Sequence, residues 1–175
     1  MDVIAARETE RTPVLADEVF AAGYDFITGV PDSHLAGFLS GLAEHPRAAD
    51  RYLPGTREDN CVALAAGAYL AGATPLVFMK SAGLGTCVDA LTSLALVYRV
   101  PLVLMVSWAG HDDRDVPHHT VIGRPAPAVL DALGIPVLRC RLADPARVAE
   151  RLRAALRTAH SSRVPVAVLC APEGV

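Results

Sequence analysis

Pro75-Leu76-Val77-Phe78-Met79 and Pro101-Leu102-Val103-Leu104-Met105-Val106 are near-continuous apolar runs, each opened by a proline. A strand with one wet face alternates polar and apolar residues, whereas an unbroken run is the signature of a strand covered on both faces. Residues 83–98 between the two runs read as a helix. Outward from this unit the alternation continues. A helix is expected from Thr12-Pro13 to about residue 22, with the proline in the first turn. A strand follows at residues 24–28, then a helix at 32–43, a short strand near 52–53 and a helix from about 57. The last third adds a helix near 126–133, a strand near 135–138, a helix from 144 to about 159 and a strand at 164–169. Six strands separated by helices define an α/β fold: a doubly wound, mainly parallel six-stranded sheet with helices on both faces. There is no repeat, low-complexity tract or linker, so residues 1–175 are expected to form a single domain.

With 175 residues and 52% hydrophobic content, the chain can bury a sizeable core. A net charge of -3 leaves no electrostatic footprint for nucleic acid or an anionic membrane. Lys80 is the only lysine among sixteen basic residues, and the arginines are scattered. The four cysteines, Cys61, Cys87, Cys140 and Cys170, lie far apart without metal-ligand spacing, which reads as reduced, mostly buried thiols. No run reaches spanning length and Met1-Asp2-Val3-Ile4-Ala5-Ala6-Arg7-Glu8 lacks a signal-peptide layout, so a cytoplasmic protein is expected.

In sheets of this kind ligands collect at the carboxyl ends of the strands. The polar and glycine-rich residues gather there: Gly29-Val30-Pro31-Asp32-Ser33-His34 after the first strand, Lys80-Ser81-Ala82-Gly83-Leu84-Gly85 after Met79, and a long loop, residues 107–119, after Val106. That loop holds three of the six histidines, three aspartates and the single tryptophan, expensive decoration for a plain connection. His118 and His119 are adjacent and no second ligand pair has helical spacing, so no metal site is expected. Between the loops, Thr56-Arg57-Glu58-Asp59-Asn60-Cys61 opens a helix lined with Ala63, Ala66, Gly67 and Ala71. Such small residues admit a close neighbour and leave Glu58 facing a cleft or a partner. Two readings of Glu58 stand: a chemical acid, or one of the acids that favour a first helical turn, beside a Thr56–Asp59 capping box. Asp32 is expected to cap a helix whatever else it does.

Gly29-Val30-Pro31-Asp32-Ser33, the 57–72 helix, the 81–94 segment and the 108–124 loop together resemble the pyrimidine-binding domain of thiamine diphosphate-dependent decarboxylases. The phosphonopyruvate decarboxylases are nearest in pattern through Asp115, Pro117, His119, Gly123 and Arg124, and the sulfopyruvate decarboxylases next. The resemblance implies that Glu58 hydrogen-bonds the aminopyrimidine of thiamine diphosphate, with Pro31, Ser81, Gly83 and Leu84 also against the cofactor. It implies proton handling by Asp32, His118 and His119, His119 being favoured, and substrate contacts at Lys80, Ser33 and Arg124. Lys80-Ser81-Ala82-Gly83 departs from the family pattern, which has an amide followed by Asn-Ser-Gly. As the lone lysine at a strand end, Lys80 is either a cation for an anionic substrate group or a solvated side chain. No Gly-Asp-Gly motif for the diphosphate and Mg²⁺ is present, so a diphosphate-binding β subunit is expected as partner in a symmetric hetero-oligomer. The expected reaction is decarboxylation of 3-phosphonopyruvate. Sulfopyruvate decarboxylation and a non-catalytic interaction role are the alternatives.

Overall fold

The two apolar runs form the middle of the sheet. In the computed structural model, which describes residues 13–112 and 115–172, six parallel strands stand in the order β2-β1-β3-β4-β6-β5. They are β1 (Phe26–Gly29), β2 (Tyr52–Pro54), β3 (Pro75–Lys80), β4 (Val103–Ser107), β5 (Val137–Arg141) and β6 (Val166–Ala171). Thr12 and the N-terminal octapeptide lie outside the described residues. β3 and β4 are buried along nearly their whole length, as their unbroken apolar character demands.

Among the described residues seven α-helices cover the sheet: α1 (Pro13–Ala21), α2 (Ala36–Glu44), α3 (Glu58–Leu70), α4 (Leu84–Asp89), α5 (Pro117–Gly123), α6 (Ala126–Ala132) and α7 (Pro145–Ser162). Because successive strand residues point to opposite faces, the core divides in two. Ile27, Leu76, Phe78, Val103 and Met105 join Val19, Phe38 and Leu152 on one side. Val77, Met79, Leu104 and Val106 join Val62, Leu91 and Leu130 on the other. Tyr24 is buried in the first layer and donates its hydroxyl to Leu152 O at 2.9 Å, tying the entry to β1 to α7.

Three expected elements differ in detail. The 83–98 helix is composite: a 3-10 turn at Ser81–Gly83 leads into α4, which widens to a π segment at Ala90–Leu96. There Thr92 and Ser93 donate to Val88 O and Asp89 O at 2.8 and 2.7 Å. Such back-bonding loosens the regular ladder. The 32–43 helix likewise begins as a 3-10 turn, Ser33–Leu35, before α2. The 107–119 stretch is not loop throughout, since Pro117 starts α5 inside it.

The chain runs from β1 outward to β2, then returns across the sheet to β3. The loops after β1 and β3 therefore part in opposite directions, and a crevice opens between them at their carboxyl ends. Gly29 holds that crevice tight: a Cβ there would fall 2.1 Å from Phe78 O on the paired strand. Gly29→Ala is expected to cost about 1–3 kcal/mol by overpacking, checked by chemical denaturation; an unchanged midpoint would show that β1 and β3 have room to part.

Candidate functional site

Asp32 sits at the centre of the crevice. It caps the 3-10 turn after β1, its Oδ1 accepting from His34 N at 3.3 Å, and its side chain is only 2% exposed. Lys80, the last residue of β3, brings its Nζ to 3.1 Å from the same Oδ1. Ser107, the last residue of β4 and the register partner of Lys80, donates its hydroxyl to Oδ2 in a short hydrogen bond. The His34 ring completes the cluster with Nδ1 3.5 Å from Oδ1 and no hydrogen bond of its own. One carboxylate thus gathers the ends of three neighbouring strands.

This changes the reading of Lys80. Its charge is directed at Asp32, a use that neither the substrate-cation nor the solvated-side-chain reading contained. Asp32 in turn has a contact on each oxygen, which fixes the orientation of its carboxylate. Of the expected substrate residues, Ser33 is exposed on the 3-10 turn beside this cluster, and Arg124 is exposed just beyond α5.

His34 links this cluster to a second one. Its ring meets the His119 ring edge-on at 6.1 Å between centroids, and the His118 ring lies 4.4 Å from that of His119. His119 Nδ1 is 2.8 Å from Asp115 Oδ1. An Nδ1–H donated to Asp115 leaves Nε2 as the free acceptor. Asp115 also accepts from the amides of Gly110 and Val116, both at 2.7 Å. Burial pushes its carboxyl up, but the His119 contact and the two amides outweigh that and hold it at about 2. The closure depends on Gly110, whose φ of +70° suits glycine and whose Cβ would fall 2.0 Å from His119 O. Trp108 serves the same closure by donating Nε1–H to Gly123 O at 2.6 Å. His119 is partly buried and turned toward the cluster, whereas His118 is exposed; this separates the adjacent pair that the sequence left open.

Glu58 stands apart as the first residue of α3. The Thr56–Asp59 capping box does not form: Arg57 is the N-cap without a side-chain cap, and Asp59 is bound to Arg57 at 2.8 Å and to Asn60 N at 2.9 Å. The Glu58 carboxylate has one long contact, Thr86 Oγ1 at 3.5 Å. It lies against Gly83, where a Cβ would fall 2.5 Å from Glu58 Cγ and 2.8 Å from Oε1. Gly83 therefore exists as glycine to let this acid lie where it does. Leu84 is buried behind it, Pro31 is exposed on the β1 loop, and Ser81 donates its hydroxyl to Ala109 O at 2.9 Å, so Ser81 braces two loops together. Among the described residues no group of three or more His, Cys, Asp or Glu is placed to hold a metal ion. No helix of the described residues is long and apolar enough to cross a membrane.

Sequence reasoning passed over three residues. His34 and Ser107 were visible only as members of polar loops, yet a serine ending an otherwise apolar strand is itself a sign of a polar partner overhead. Asp115 entered as part of a pattern, while its four-residue spacing to His119 on an incipient helix was the available signal.

A parallel α/β domain with Glu58 and Asp59 in a first helical turn and a polar crevice at the strand ends is an architecture that binds ligands at those ends. The family profile of the thiamine pyrophosphate enzyme N-terminal TPP binding domain matches residues 11–130, and the chain belongs to that family, whose cofactor is thiamine diphosphate. The sulfopyruvate decarboxylase subunit alpha of Methanothermobacter thermautotrophicus is 33% identical over 145 residues, covering 82% of this chain and 87% of that protein. The phosphonopyruvate decarboxylase of Streptomyces viridochromogenes is 36% identical over 110 residues, covering 62% of this chain and 27% of that protein. Among solved structures, a 2-oxoglutarate:ferredoxin oxidoreductase from Magnetococcus marinus superposes with a TM-score of 0.69 at 17% identity, over 91% of this chain and 28% of that one. At that identity the likeness shows the fold alone.

Two outcomes test the geometry. Lys80→Met strands the buried Asp32 carboxylate and is expected to cost about 3–5 kcal/mol, most of it recovered when Asp32→Asn is added; chemical denaturation of the single and double variants checks this, and a loss near zero would return Lys80 to solvent. For Asp115, a folded-state value below the unfolded one means stability that is present above about pH 4 and is lost as pH falls toward 2. Asp115→Asn should therefore lower the Tm at neutral pH, with the gap to the wild type closing below about pH 4. A gap that stays constant down to pH 2.5 would remove the carboxylate from that role.

Proposed function

We propose that this chain is the pyrimidine-binding subunit of a two-component thiamine diphosphate-dependent decarboxylase acting on a short 2-keto acid with a second anionic group. The observation that carries the reading is Glu58: a half-buried carboxylate at a helix start, almost without hydrogen-bond partners, seated in the space that Gly83 leaves for it. Its spare acceptor capacity fits a nitrogen of the aminopyrimidine ring, so Glu58, with Gly83 and Leu84 beside it, would hold that ring. Thiamine diphosphate, when bound, supplies the nucleophilic carbon and the electron sink for loss of carbon dioxide.

The other residues manage protons and position. His119, oriented by Asp115 through Nδ1 so that Nε2 is left as the acceptor, is the group best able to take and return a proton at the substrate end. His34 stands next to it and joins it as a second candidate. Asp32 is assigned a positioning role, because Lys80 and Ser107 hold both its oxygens; Ser33 and Arg124 lie exposed at the mouth, where an anionic group would meet them. His118, exposed beside His119, would reach the substrate only from the rim.

Sulfopyruvate becomes the first substrate to test and 3-phosphonopyruvate the second. The relative that matches this chain along most of its own length is named as an alpha subunit of a sulfopyruvate decarboxylase, whereas the phosphonopyruvate relative is matched over 27% of its length. The same subunit name supports a separate diphosphate-binding partner. So does the outer side of α3, where an apolar groove of about 690 Å³ runs along Leu53, Asn60, Ala63, Leu64, Gly67 and Ala71. The inner side of α3 packs on the sheet through Cys61, Val62, Ala65 and Ala66, so the groove is the face left for a second polypeptide.

Reconstitution tests this. The chain alone is expected to turn over neither keto acid and to do so once a diphosphate-binding subunit and Mg²⁺ are added. Glu58→Gln in the reconstituted enzyme should slow exchange of the thiazolium C2 proton by about 10²–10⁴-fold with the fold intact. Exchange at the wild-type rate would reduce Glu58 to a first-turn acid.

A further inference from the structure

At the far edge of the sheet, where β5 and β6 end and α7 begins, a cavity of about 500 Å³ opens between strands and helix. Its wall carries Arg139 and Arg141 from the end of β5 and Arg147 and Arg151 from the first turns of α7. Their charges are met unevenly. Arg147 reaches Glu150 at 2.6 Å, and Arg139 stacks over the Trp108 ring at 5.2 Å. Arg141 and Arg151 have no acidic partner among the described residues, and the stacked Arg139 has none either. Asp144 is the one carboxylate in the wall, and its Oδ1 is taken by the amide of Arg147. With Arg147 neutralised by Glu150, three guanidiniums face one carboxylate, a surplus of two positive charges. Two polar atoms of the wall, Arg151 Nε and His111 Nδ1, are buried without a hydrogen-bond partner. Arg139 and Arg141 are exposed and hydrated, so the cost falls on the two buried atoms, which a ligand oxygen in the concavity would satisfy.

We propose that this cavity is a binding site for a small dianion, a phosphate monoester or a dicarboxylate, separate from the crevice around Asp32 and Glu58. Two unpaired planar guanidiniums offer bidentate donors to such an oxyanion, and the 18-residue α7 directs its positive dipole end at the same space. The ligand's two charges equal the surplus. The site lies three strands from Lys80, about 15 Å at the usual spacing, because Lys80, Ser107, Cys170 and Cys140 stand in register across the sheet. The connection after β4 has a residue at each place: His111 lines the cavity and Asp115 holds His119.

Cys140 provides the means of testing this. It lines the cavity and is the one cysteine not fully buried. Its hydrogen bond with Cys170, 3.5 Å away, lowers its thiol against the effect of burial, and Arg151 and Arg147 lower it further. Alkylation of the full chain should be faster with anionic iodoacetate than with neutral iodoacetamide, relative to a free thiol. Inorganic phosphate and malonate, representing the two sources, should protect Cys140 saturably at concentrations where sodium chloride of equal ionic strength does not. In Arg141→Gln, an exposed substitution, and in Arg141→Gln/Arg151→Gln, the protecting concentration should rise at least about tenfold, equivalent to 1.4 kcal/mol. Circular dichroism verifies the fold of each variant, and the wild-type measurements stand even if the double variant fails to fold. Protection matched by sodium chloride, protection unchanged in the variants, or no preference for iodoacetate would each overturn the proposal. Protection by phosphate but not malonate, or the reverse, supports it and identifies the ligand class.

Discussion

Asp32 is the constraint on which the site depends. A carboxylate 2% exposed cannot be carried at a strand end without compensation. The fold provides it from Lys80 and Ser107, the last residues of the next two strands, which are also partners in register. Lys80 and Ser107 are placed by the strand ladder, and Asp32 by its capping of the 3-10 turn three residues beyond β1. The apolar faces of β3 and β4 fix how far the strands extend, and the polar cluster marks where burial ends. Side chains set on strand ends are held more closely than side chains on loops, and the crevice inherits that definition.

From this anchor the polar groups extend in one direction. Lys80, Asp32, His34, His119 and Asp115 follow one another along a path, with the two acids engaged and the two imidazoles between them. The acids are held in place by cations, hydroxyls and amides, and the proposed proton exchange with a ligand is given to the imidazoles. Placement in the fold thus separates groups that residue type alone would treat alike. A carboxylate in a cleft invites assignment as an acid or base, yet the saturation of Asp32 argues for fixing geometry, and the bareness of Glu58 argues for meeting a ligand.

Much of this was legible beforehand. The unbroken apolar character of Pro75–Met79 and Pro101–Val106 announced doubly covered parallel strands, and the alternation of elements gave the class of fold, because both follow from burial, which composition records. The polar loops were identifiable by position after each strand. The pairing of Lys80 with Asp32 was not, because 48 residues separate them and only the strand order brings their ends together. The π segment was hidden for a different reason. Thr92 and Ser93 are compatible with a regular helix, and only their chosen acceptors, Val88 O and Asp89 O, reveal the widened turn. α5 escaped notice because the histidines and aspartates around Pro117 read as loop decoration, although that proline occupies the first position of the helix it starts.

Glu58 and its helix bear on the proposed two-chain enzyme. An acid with one contact at 3.5 Å would gain from a donor, and the residues around it are apolar or already paired. Gly83 keeps space for the acid without supplying that donor. Behind it α3 is apolar on both sides: one is used by the sheet, while Leu64 on the other remains 43% exposed beside the groove. Water can serve the acid, but water gives no reason for the apolar outer face, and a second chain gives no reason for the bare carboxylate unless a polar ligand lies between them. One arrangement answers both: a partner seated along α3 that encloses, at the N-terminal end of the helix, a ligand with a hydrogen to donate. The proposed division of the enzyme into two polypeptides is thus supported from one helix, whose flank suits protein and whose first residue suits cofactor.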